Sequence, residues 1–156
     1  MEIKNQYEVL AKKYKLPSWK ELDDEFELLY FTSLVEISHV LRFIRRRIND
    51  RVSMFIHNLQ GFLQPNPSSP ISLEEANFLD EEEKKKVAVI LRELMNLERR
   101  NSLLDLNFDE KKDAEFINDA VKKWFELKKD IADVINKVKK GWESKVKEYS
   151  KEEYFG

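Results

Sequence analysis

The chain has 156 residues, 42% hydrophobic and 37% charged, and its 28 Lys and Arg against 30 Asp and Glu give a formal net charge of −2. It has no cysteine and only three glycines. That excludes disulfides, zinc–thiolate sites, iron–sulfur clusters and cysteine nucleophiles, and leaves almost nothing from which to build a glycine-rich phosphate loop. A chain of this length suits one domain that buries roughly two-thirds of its unfolded surface.

Apolar spacing is helical nearly throughout. Residues 4–14 read as a short amphipathic helix with Tyr7, Leu10, Ala11 and Tyr14 on one side, ended by Leu16-Pro17-Ser18. Ser18 and Glu21 form a capping box for a second short helix that carries Trp19 and Leu22. Ser33 and Glu36 form another box, so a long helix is expected from 34 to about 64, unless one helix runs on continuously from 19. Its apolar stripe is Leu34, Ile37, Leu41, Ile44, Ile48, Val52, Phe55, Leu59 and Phe62, in steps of three and four.

Pro65, Pro67 and Pro70, with Ser68 and Ser69, form the one loop rich in helix breakers, and Ser72 and Glu75 are expected to cap a short turn after it. Asp80 and Glu83 open the next long helix, about 81–106, with a stripe of Val87, Ile90, Leu91, Leu94, Leu97, Asn101 and Leu104. The last long helix opens near Asn107 or Asp109. It runs through Phe116, Ile117, Ala120, Val121, Trp124, Leu127, Ile131, Val134, Ile135 and Val138. Gly141 is expected to kink it before Trp142, Val146 and Tyr149.

Short joins make consecutive long helices antiparallel neighbours. The predicted fold is all-α: an antiparallel three-helix bundle over residues 33–149, with short additional N-terminal helices in residues 1–31, within a single domain 1–156. At 1.5 Å per residue the last helix would be about 60 Å long and the first long one about 46 Å. Trp142, Val146 and Tyr149 would then overhang. They would need a cover from residues 4–31, from the 65–80 loop, or from another subunit.

Chemistry-bearing patterns are few. His39 and His57 lie five turns apart on one helix, about 27 Å, and cannot share a metal. Glu36-Ile37-Ser38-His39 has the Glu-x-x-His spacing of di-iron bundles, but it is not repeated, and His39 points away from Leu41. The acids sit at helix starts or four residues before lysines, as in Asp80–Lys84, Glu81–Lys85 and Glu82–Lys86. No serine has a glycine-bearing elbow around it. The expectation is therefore no enzyme, no cofactor and no metal.

Arginine is unevenly distributed. All eight arginines, Arg42, Arg45, Arg46, Arg47, Arg51, Arg92, Arg99 and Arg100, lie in the first two long helices, and the last helix has only lysine. If those two helices are antiparallel, residues 42–47 lie level with about 96–101 and the two groups converge. Converging guanidinium groups suit phosphate or carboxylate recognition, hence an acidic partner or nucleic acid. They equally suit internal pairing with Glu36, Asp50, Glu93, Glu98 and Asp105, their stems covering the stripe. Only Phe43 interleaves with them, so a stacking platform for single strands has little to stand on.

Val40, Phe43 and Met54 fall on a second side of the same helix, away from Leu41. Either the N-terminal segment or a partner covers them, and together with Trp142 they are the candidate protein interface. Asn101 is a polar residue in an apolar stripe, a position that can set register or oligomeric state.

Tyr14-Lys15-Leu16-Pro17-Ser18, followed by Glu21-Leu22-Asp23 and later by Phe108-Asp109-Glu110-Lys111-Lys112, resembles small uncharacterised all-helical proteins of archaea. The resemblance implies a cytoplasmic, thermophilic origin and no particular activity. Twenty Glu and twenty Lys are in keeping with ion-pair-rich thermophile surfaces, and ten Asn count against it. The longest apolar run, Val87–Leu91, is far short of the about 20 residues of a bilayer span, and MEIKNQYEVL has no apolar signal region. The functional expectation is a non-enzymatic helical protein-interaction or assembly module, with a homodimer as one form of it. The alternative is a nucleic-acid-associated protein that binds phosphates through its arginines.

Overall fold

The computed structural model describes residues 2–32 and 39–155, with side chains for 2–30 and 39–149. Among these, all regular structure is α-helical: α1 (Ile3–Tyr14), α2 (Trp19–Phe26), α3 (Leu28–Thr32), α4 (Val40–Leu63), α5 (Pro70–Asn77), α6 (Glu81–Leu106) and α7 (Glu110–Phe155). The Ser33–Glu36 box, Leu34 and Ile37 of the expected stripe, and Glu36 of the Glu-x-x-His spacing lie outside the described residues. No described helix is long and apolar enough to cross a membrane. The chain divides into two units: Met1–Met54 with Leu94–Trp124, and Phe55–Glu93 with Phe125–Gly156.

The first unit begins with the N-terminal helices. Tyr7 of α1 is fully buried; its ring meets Trp19 at 5.7 Å and its hydroxyl donates to the Pro17 carbonyl at 2.6 Å. Burial raises the Tyr7 phenol far above its ordinary value, so it stays protonated and remains a donor. The Ser18–Glu21 capping box forms as its spacing predicts, and Trp19, Leu22 and Phe26 of α2 turn inward. A continuous helix from 19 does not form. Glu27 adopts a left-handed conformation (φ 54°) that closes α2, and Asp23 then accepts the Leu29 N–H at 2.8 Å to start α3.

Side-chain hydrogen bonds tie these helices to α7. Trp124 Nε1 donates to Glu25 Oε1 at 2.6 Å, and Tyr14 Oη donates to Glu110 Oε1 at 2.9 Å. The core of this unit is Val40, Leu41, Ile44, Ile48 and Val52 of α4, Leu94 and Leu97 of α6, and Phe116, Ile117, Ala120, Val121 and Trp124 of α7.

In the second unit Ile56 and Leu59 of α4 are buried, and Phe55 is half-buried. The two neighbours 55 and 56 flank the stripe on either side, at about 40° and 60° from Leu41. The cap of α5 is Ser69, whose hydroxyl accepts the Ser72 N–H at 3.2 Å, with Pro70 in the first turn. The expected Ser72–Glu75 cap does not form, because proline lacks an N–H and suits the first helical position, which moves the cap one residue ahead of it. The Ser72 hydroxyl instead accepts from Asn66 N at 3.0 Å.

Asp80 and Glu83 exchange the two hydrogen bonds of a capping box, 2.8 and 3.1 Å. Val87, Ile90 and Leu91 of α6 and Ile131, Val134 and Val138 of α7 complete this core, while Ile135 is 37% exposed. The acid–lysine pairs on α6 close over three residues rather than four: Glu81–Lys84 at 4.0 Å and Glu82–Lys85 at 3.3 Å. Lys86 reaches across to Asp130 of α7 at 3.2 Å.

Gly141 does not break α7, which continues to Phe155. Its role is close approach: a Cβ there would sit 2.3 Å from Cγ of Phe78. With no side chain at 141, the Phe78 ring lies against the helix and meets Trp142 edge-on at 5.1 Å. Trp142 Nε1 also donates to Glu75 Oε2 at 3.1 Å. Of the three covers considered for the overhang, the segment after the proline loop supplies the one over Trp142. Val146 and Tyr149 remain about two-thirds exposed.

Candidate functional site

Arg45 is the largest fully buried side chain among the described residues. Periodicity explains where it points: at 100° per residue it lies about 40° from Leu41, within the apolar stripe of α4. All three of its guanidinium nitrogens donate. Nε donates to Asp113 Oδ1 at 2.7 Å, Nη2 to Asp105 Oδ1 at 2.6 Å, and Nη1 to the Asn101 carbonyl at 3.1 Å and to Asn101 Oδ1. One side chain of α4 thus joins α6 and α7 within the first unit.

The neighbouring arginines converge on the same acid. Arg42 Nη2 donates to the Asp105 carbonyl at 3.0 Å, and Arg46 Nε to Asp105 Oδ1 at 3.1 Å. The two carboxyls respond in opposite directions. Burial would push Asp105 up, but the hydrogen bonds and charges of Arg45 and Arg46 outweigh it and hold Asp105 below the ordinary carboxylate range. Burial pushes Asp113 up, against the charge and hydrogen bond of Arg45. Its Oδ2 is buried and has no hydrogen-bond partner, as is Arg42 Nε.

Arg42, Arg45 and Arg46 thus gather on Asp105 at the end of α6, whereas Arg99 and Arg100, the group expected to meet them, pair with Glu98 and Asp119. The other arginines are distributed separately. Arg47 pairs with Asp50 at 2.8 Å. Arg51 donates to the Glu25 carbonyl at 2.9 Å. Arg100 pairs with Asp119 at 2.8 Å and lies 5.5 Å from the Phe116 ring centre. Arg99 is largely exposed beside Glu98, and Arg92 is exposed on the second unit. Asp113 and Asp119 were not among the expected acidic partners. The signal for Asp113 was present, since it precedes Ile117 by four residues and so shares its face.

Of the interface candidates, Val40 is buried at 5% exposure and cannot offer a surface. It lies beside Leu41 at the start of α4, where the first unit's core closes over both. Phe43 is half-buried, and Trp142 is covered by Phe78 and Glu75. Met54 is 46% exposed and lines a shallow cleft of about 160 Å³ with Phe26, Glu27, Arg47, Asp50 and Arg51.

A different apolar surface stands open on the first unit. Leu103 and Leu106, three residues apart on the last turns of α6, are 69% and 74% exposed. Phe108 follows at 48%, its ring 4.1 Å from that of His39. The reading of α6 by its buried stripe missed this surface. The sequence signal was Leu103 beside Leu104 and Leu106, more leucine than one stripe can take inward. His39 and His57 are both exposed, and among the described residues no three His, Asp or Glu side chains stand close enough to hold a metal ion.

The arrangement can hold helices together and can present apolar side chains to a partner. Compared with protein-family models, curated proteins and solved structures, the chain matches none.

Proposed function

We propose that this chain is a helical assembly module that works by association rather than catalysis, and that its partner is a second copy of itself. The observation that carries the reading is the exposure of Leu103, Leu106 and Phe108 at the end of α6. Large exposed apolar side chains grouped at one helix end and rimmed by polar residues are the usual mark of an association surface. In each unit, α4, α6 and α7 would supply an antiparallel three-helix core, with α1–α3 packed on the first. Rising numbers in α4 face falling numbers in α6, as in Arg42–Asp105 and Ser53–Glu98. A cytoplasmic setting goes with this reading.

The test is a Leu103→Glu, Leu106→Glu variant examined by light scattering. The variant is expected to halve the mass of the unmodified species while far-UV circular dichroism stays the same. A mass unaffected by the two charges would remove α6 as the contact.

Phosphate binding by the arginine cluster is the second reading. It is supported by Arg46 and Arg99, whose side chains are 53% and 70% exposed. Contact with phosphates would show as polynucleotide affinity that falls steeply with salt, each contact adding about 0.7–0.9 to the logarithmic slope.

A further inference from the structure

We infer that the network of Arg45 with Asn101, Asp105 and Asp113 fixes the register in which α4, α6 and α7 pair, a role independent of what the exposed end of α6 binds. The apolar stripes cannot do this alone, because they nearly repeat every seven residues. Leu41 is matched by Ile48, and Val52 by Leu59, on α4; Val87 by Leu94, and Ile90 by Leu97, on α6; Ala114 by Val121, and Ile117 by Trp124, on α7. A slide of one heptad, about 10 Å, therefore sets apolar residues against apolar residues again.

The polar partners repeat only in part. In a slipped register Arg45 would face Leu94 and Glu98, or Phe108 and Lys112, in place of Asn101 and Asp105, and Ala120 or Leu106 in place of Asp113. One slide leaves the buried guanidinium beside a lysine with no acid; the other leaves it Glu98 alone and removes both Asn101 and Asp113, and a buried charge that loses partners is unfavourable. Each slipped register therefore gives Arg45 fewer partners than the native one.

Two features argue that discrimination, more than stability, is what the network supplies. Asp113 Oδ2 has no partner although the residue is only 1% exposed, so the buried pair is incompletely satisfied. Replacing a complete buried ion network by apolar side chains of similar volume is often neutral or stabilising. Polar residues at single core positions are also the best-attested way to specify helix register.

The experiment reads register directly and uses the absence of natural cysteines. Ser53 Oγ donates to Glu98 Oε2 at 2.7 Å, so Ser53→Cys with Glu98→Cys sets two thiols on facing positions, to be joined by a short bifunctional thiol reagent, and one heptad of slide separates them by about a further 10 Å along the axis. In the otherwise unmodified chain the reagent should join the two rapidly. In the same chain carrying Arg45→Met, Asn101→Leu and Asp113→Leu, the urea midpoint should be unchanged or higher. The initial rate of cross-linking should fall to about one third, as for three registers of comparable free energy. A rate as high as in the parent would overturn the proposal. Loss of the far-UV helical signal in the triple variant would also overturn it, because the network would then be supplying stability and not choice of register.

Discussion

Ile44 is fully buried and Trp124 is 3% exposed, so truncating either to alanine is expected to lower stability by about 2–5 kcal/mol, read from urea denaturation. The arginines divide by burial. Arg45→Ala leaves Asp113 buried without its cation and should cost about 3–5 kcal/mol. Arg46→Ala removes a half-exposed partner of Asp105 and should cost no more than about 1 kcal/mol. Equal costs for the two would mean that the buried and exposed members of the cluster are not distinguished. The carboxyls give a pH test. Asp105 titrates lower in the native chain than unfolded, so the stability it supplies is present above about pH 4 and is lost as pH falls through its native value. Asp105→Asn should flatten that acid limb of the stability curve, and an unaltered limb would contradict the assignment. At this scale the sequence told where apolar side chains go and half of where arginine goes. Arg45 sits on the Leu41 face by simple periodicity, but composition alone cannot say that Asp113, on another helix, is there to receive it.

Helix starts were legible at two of the three described boxes. The Ser18–Glu21 and Asp80–Glu83 boxes both form, since each satisfies donors that the helix itself cannot, whereas Ser72–Glu75 has the same spacing and does not, because Pro70 in the first turn puts the cap at Ser69. Helix ends and bends were harder to read. Glu27 ends α2 in a left-handed conformation with no glycine to announce it. Gly141 suggested a kink, but its function depends on Phe78, 63 positions away, which no local rule connects to it. Gly141→Ala would raise helix propensity in isolation. Here it should destabilise by about 1–3 kcal/mol, because the new methyl meets the Phe78 ring. The variant should also shift Trp142 fluorescence. A gain in stability would mean that the ring moves aside without cost.

For the molecule as a whole, the helical class followed from composition and spacing, and all regular structure among the described residues is α-helical. The location of the exposed apolar side chains was not legible. The face of Val40, Phe43 and Met54 stood out in the sequence, yet Val40 is buried and Met54 borders a charged cleft, because neighbours brought from elsewhere in the chain decide exposure. Leu103, Leu106 and Phe108 are open instead. The claim that rests on them is self-association, and sedimentation equilibrium of the unmodified chain over a range of concentrations tests it most directly. The account predicts a species of twice the 18.7 kDa chain mass that dissociates on dilution. A single 18.7 kDa species at every concentration would contradict it.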